Sequence, residues 1–152
     1  MKINTANFQW IAIISMALID ALKNEKESAI INSRDKVKIP EEVKYFIKKL
    51  GCKIEKPRTV KSSLSTHYII HLSNPSEELN LINLRWLIMI AGAIPAYMSK
   101  PKKNEFLTVD YYYDEMTPFL RHFLSKLHCE VEEHISEYNG KLEYRIYLPE
   151  EV

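Results

Sequence analysis

The sequence predicts an α+β protein built from two α-β-α-β-β repeats related by a pseudo-two-fold axis. Three observations carry that expectation. First, the 152-residue chain repeats itself with a period near 76 residues. Trp10 is answered by Trp86, Phe46, Leu50 and Cys52 by Phe123, Leu127 and Cys129, and Tyr68 and Ile70 by Tyr144 and Ile146. Second, each half opens on an apolar run of helical length carrying two small residues four apart, Ala17 with Ala21 and then Gly92 with Ala96. On a helix that spacing puts both on one face, where missing bulk lets a second backbone come close. The two runs therefore predict a central helix pair crossing at the pseudo-dyad. Third, each half closes on two stretches of alternating polarity, the pattern of a half-buried hairpin. The first repeat spans residues 1–75 and the second 76–152, in one pseudo-symmetric unit.

The elements follow in order. Residues 8–23 are apolar on most sides, as in a buried helix. Residues 28–32 form a short strand. Pro40 stands at the first turn of a second helix, with Glu41 and Glu42 against the positive end of its dipole. Val43, Phe46, Ile47 and Leu50 share one face of that helix, which ends at Gly51. Residues 53–56 and 67–73 complete the first hairpin. From about Leu79 the order recurs: an apolar helix, a strand over 106–112, a helix over 117–127, and a hairpin of 130–136 with 142–148 turning at Asn139-Gly140. Pro95 removes one helical hydrogen bond and is expected to kink or end its helix.

Composition narrows the function classes. With 46% hydrophobic and 27% charged residues the chain reads as folded and globular. Three glycines leave no room for a Gly-rich phosphate loop. Cys52 and Cys129, each following a short helix, read as buried small hydrophobes rather than a bridge or a redox pair. The uncharged runs of residues 3–19 and 86–99 are both shorter than the ~20 residues of a membrane span, and no cleavable leader pattern is evident. An intracellular location, cytoplasmic or in an organellar matrix, without membrane association or secretion, is the expectation.

At this point the residues resemble a known family. Ser15-Met16-Ala17-Leu18-Ile19-Asp20-Ala21-Leu22-Lys23 is similar to the LAGLIDADG signature of homing endonucleases and RNA maturases. Ile90-Ala91-Gly92-Ala93-Ile94-Pro95-Ala96-Tyr97-Met98 resembles an eroded second copy. The resemblance implies two motif helices packed at the pseudo-dyad and a saddle of antiparallel sheets facing nucleic acid. It also implies that an acidic residue at the second-last motif position of each helix would bind the divalent metals of phosphodiester cleavage. Those positions hold Leu22 and Tyr97, and the symmetry mate of Asp20 is Pro95. Magnesium demands hard oxygen ligands, so metal-dependent cleavage is not expected, nor any cofactor.

Binding without cutting is the leading expectation. Residues 1–75 hold thirteen Lys and Arg against seven Asp and Glu, a net of +6, whereas residues 76–152 are net −5. Such asymmetry points to one basic surface. Its candidate phosphate-neutralising residues are Arg34, Lys36 and Lys38, then Lys53, Lys56, Arg58 and Lys61, and Lys100, Lys102 and Lys103 after the second apolar helix. The expected partner is structured RNA or duplex DNA, as for a maturase-like or ribonucleoprotein component; the alternative is a domesticated fold serving as a protein-interaction subunit of a larger complex. Tyr111, Tyr112 and Tyr113 are candidates for stacking on unpaired bases or for packing on both sides of a strand. His71-Leu72-Ser73 and His134-Ile135-Ser136 resemble the paired motifs of 2H phosphoesterases, but the two histidines occupy non-equivalent strands of the repeats. His122 and His128, on or beside the second short helix, read as structural.

Overall fold

A computed structural model describes residues 5–33, 38–59, 66–72, 74–99, 106–110 and 115–149. The protein is mixed α+β, with four helices and two three-stranded antiparallel sheets. The first half runs α1 (Thr5–Lys23), β1 (Ser28–Ser33), α2 (Glu41–Lys49), β2 (Lys53–Thr59) and β3 (Thr66–His71). The second runs α3 (Leu81–Met98), β4 (Leu107–Asp110), α4 (Pro118–Lys126), β5 (Glu130–Ile135) and β6 (Leu142–Tyr147). In each sheet the last strand is central, giving the orders β1-β3-β2 and β4-β6-β5.

Local chemistry recurs at corresponding places. In the first sheet Tyr68 is buried against Trp10, edge to face at 5.9 Å, and its hydroxyl accepts from the Ile39 amide at 3.3 Å. In the second, Tyr144 meets Trp86 edge to face at 5.4 Å and accepts from the Met116 amide at 3.0 Å. Each tyrosine thus ties a central strand to its apolar helix and to the lead-in of its short helix. Two buried asparagines add a second tie. The Asn7 amide donates to Glu42 near the start of α2, and Asn83 accepts from the Thr117 hydroxyl, the N-cap of α4, at 2.5 Å.

Helices α1 and α3 make the most extensive helix-to-helix contact in the molecule. Ile14 and Leu18 of α1, with Leu84, Leu87, Ile90 and Ile94 of α3, are wholly buried, each side chain contributing about 1.5–3 kcal/mol relative to exposure. The contact does not use the predicted small-residue face. Ala21 is buried and Ala17 half-buried, but Gly92 and Ala96 are exposed, and a Cβ added to Gly92 would meet nothing within 4 Å. The reason is register. The large apolar residues of α3 turn inward, leaving Arg85, Gly92, Ala96 and Ser99 on the outward row, just as Gln9, Met16 and Asp20 lie outward on α1. The tryptophan spacing of 76 aligns these rows, so Gly92 answers to Met16, and Ser15 and Ala91 are the small residues buried at equivalent positions.

Three local expectations are revised. Helix α3 continues through Pro95 to Met98, because one missing N–H in the last turn removes a single bond and Ser99 still donates to the Pro95 carbonyl. Strand β2 runs past Pro57 to Thr59: the register shifts between Glu55 and Arg58, and an edge strand with a bulge tolerates proline. The second hairpin turns through Ser136 to Lys141, with only Gly140 of the Asn139-Gly140 pair left-handed (φ 68°), unlike a two-residue type I′ turn.

By length and hydropathy alone α3 matches a membrane span, but Leu84, Trp86, Leu87, Ile90 and Ile94 are buried in the core. Gly51, left-handed at φ 79°, ends α2 beneath the connection between the halves. A Cβ there would come within 2.3 Å of the Asn74 carbonyl oxygen and 2.6 Å of the Ser76 nitrogen. Ser76 in turn donates its amide to the Leu50 carbonyl and its hydroxyl to that of Lys49. Cys52 and Cys129 are free and buried.

Candidate nucleic-acid interface

Strand alternation gives each sheet an inner and an outer face. In the first sheet Ala29, Ile31, Tyr68 and Ile70 point into the core, which turns Ile30, Asn32, His67, Ile69 and His71 to the other side. Ile30 is 65% exposed on this face, and His67, Ile69 and His71 are half-exposed. The cross-strand rows are Ser28, His71 and Lys53, then Ile30, Ile69 and Glu55. Asn32 is hydrogen-bonded across the sheet to the His67 ring, and His71 lies 3.6 Å from the Glu55 carboxylate.

The outer face of the second sheet carries different chemistry. Glu130 pairs with Tyr147, Glu132 with Arg145 and His134 with Glu143. The Tyr147 hydroxyl donates to Glu132 at 2.9 Å, and that bond, aided by desolvation, pushes its pKa above the ordinary tyrosine value. Arg145 sits 4.6 Å over the Phe106 ring. Three glutamates against one arginine make this face acidic, which opposes phosphate binding there.

The predicted cations divide accordingly. Lys38 and Lys53 are exposed, and Lys56 and Arg58 stand on β2, an edge of the first sheet. Arg34, Lys36, Lys61, Lys100, Lys102 and Lys103 lie outside the described residues, as does the Tyr111–Tyr113 run. Ser33, Thr66 and Thr59 nevertheless stand side by side at one end of the first sheet. The sequence flanking them is where Arg34, Lys36, Arg58 and Lys61 occur. Topology thus brings together the strand ends Ser33 and Thr59, which are remote in sequence and each border a cation-rich stretch. Asn32 and His67 were missed by charge counting, although the alternation of residues 28–33 and 66–71 marks them as outward.

Candidate catalytic groups are dispersed. His71 lies on the central strand of the first sheet and His134 on an edge strand of the second. His122 and His128 are exposed rather than packed, since α4 turns Leu120 and Leu124 inward. Asp20 is occupied at the surface by Lys26 at 3.2 Å and by the Asn24 amide at 2.9 Å. Leu22 and Tyr97 are both half-buried against the core, and by the tryptophan spacing the mate of Leu22 is Met98, no better a ligand for a hard cation. Among the described residues, no three His, Cys, Asp or Glu side chains gather where they could hold a metal ion.

No protein-family model, curated protein or solved structure matches the chain.

Proposed function

We propose that the chain is a duplicated protein of LAGLIDADG-like organisation that binds structured RNA or duplex DNA without cutting it. Its two α-β-α-β-β halves are the repeats, and α1 and α3 stand for the motif helices. The binding surface is the outer face of the first sheet, together with the cation-bearing segments that leave its far end. One observation carries this reading. Strand pairing sets Ser33, Thr59 and Thr66 abreast at the end of a sheet whose outer face offers serine, asparagine and histidine side chains, and the basic residues of the +6 half flank those strand ends in the sequence. Phosphates would be met by the lysines and arginines, with affinity falling as salt rises. The acidic second sheet confines contact to one half. The absence of carboxylates at positions 22 and 97 is the basis for expecting no hydrolysis.

The test is a salt titration of binding to a labelled RNA hairpin and to a DNA duplex. Affinity should fall steeply between low and physiological salt, and Lys53→Ala should reduce the slope of log K against log [salt] by about 0.9. No binding at low salt would overturn the reading. Mg²⁺-dependent nicking of plasmid DNA should be undetectable.

The alternative, a protein-interaction subunit, is favoured by a specific feature of the second hairpin. Ile135 is 67% exposed and Tyr138 fully exposed near its tip, the kind of apolar display that docks a partner. Ile135→Ser with Tyr138→Ser leaves nucleic-acid binding unchanged if the leading reading holds.

A further inference from the structure

A cavity of about 480 Å³ opens among α1, α2 and α4, and no strand residue lines it. That volume is in the range of small-ligand sites, roughly 300–1,000 Å³. Its walls are aromatic. Phe46 of α2 stands 5.6 Å from Phe123 and 6.3 Å from Phe119 of α4, ring centre to ring centre, with tilted planes. Phe8 and Ile11 of α1 also line the space. Phe119 and Phe123 remain half-buried, so the cleft between the two halves is not filled by the protein itself.

The polar lining is one-sided. Lys49, Lys126, His122 and His128 reach the cavity, against a single carboxylate, Glu42, which already accepts from the buried Asn7 amide. Lys49 lies 5.4 Å from the Tyr45 ring centre, and neither it nor Lys126 has an ion pair among the described residues. An anion entering at this rim would meet cations without displacing a partner. An aromatic body would cover ring faces and edges that now meet solvent. We propose that this cavity is a binding site for a small aromatic carboxylate, its rings against Phe46 and Phe123 and its charge at the lysine rim.

The experiment is calorimetric titration of the full chain with naphthalene-2-carboxylate and with its neutral analogue naphthalene-2-methanol. The expected result is saturable one-to-one binding of the carboxylate, at least tenfold tighter than the alcohol. Lys49→Glu with Lys126→Glu should weaken the carboxylate at least tenfold and leave the alcohol within twofold. Both lysines are exposed, so an unchanged unfolding midpoint is expected to show the fold is kept. Phe123→Ala should weaken both ligands. Equal affinity for the two ligands, no saturable binding, or a charge-reversed variant that binds the carboxylate normally would each overturn the proposal. The outcome is independent of the sheet-face reading, because the two surfaces share no residue.

Discussion

The tyrosine hydroxyls at positions 68 and 144 each hold one backbone amide that no strand or helix satisfies. Tyr68→Phe and Tyr144→Phe should each lower stability by about 1–2 kcal/mol, read as a reduced urea midpoint at constant slope. Gly92→Ala goes the other way. The site is helical and open, so the variant should gain about 1 kcal/mol; a loss would restore the close backbone approach that the spacing had predicted. The two cysteines make a pH prediction. Burial pushes both thiols from 9.0 to about 11. The folded state therefore keeps protons that the unfolded chain releases, so stability should be insensitive to these groups below pH 8 and fall as pH rises from about 9 to 11. Below pH 8 a thiol reagent should modify neither until denaturant is added, and Cys52→Ala with Cys129→Ala should abolish that part of the alkaline decline.

At the level of elements, Asn83 shows how the start of one helix is joined to the next. Its amide donates to the Glu78 carbonyl at 2.8 Å, and its oxygen accepts from Thr117. Asn83→Ala should cost about 1–2 kcal/mol, since two part-buried hydrogen bonds, to the Glu78 carbonyl and from the Thr117 hydroxyl, are lost together. Much of this level was legible in the sequence. Trp10 with Trp86, Pro40 with Glu41 and Glu42, and the alternation around Tyr68 and Tyr144 mark helices and strands within a few residues of their observed limits. The helix face was misread because Ala and Gly spacing is cheap in apolar helices, whereas burial follows the large residues Leu84, Leu87, Ile90 and Ile94. The outward pairing of Asn32 with His67 depends on strand register, which side-chain spacing within one strand does not give. The aromatic cavity escaped notice because it joins α2 to α4, elements more than sixty residues apart.

For the molecule as a whole, the two sheets are held together through the helices, chiefly α1 with α3, and the halves meet again where Phe46 faces Phe119 and Phe123. Leu18→Ala should cost about 2–5 kcal/mol and lower the unfolding transition of both halves as one, seen when Trp10 and Trp86 are followed separately by single-tryptophan variants. The covalent bridge between the halves leaves its own signature. His128, exposed at φ 61°, shows that the turn after a short helix accepts an ordinary side chain in left-handed geometry. Gly51 has no such freedom, because the outgoing peptide lies directly on its α-carbon. The connecting peptide, rather than the bend itself, therefore dictates which amino acid can stand there. Severing the chain between Asn74 and Pro75 and pairing the two fragments should make alanine at position 51 tolerable, at the roughly 1–2 kcal/mol that left-handed backbone exacts anywhere.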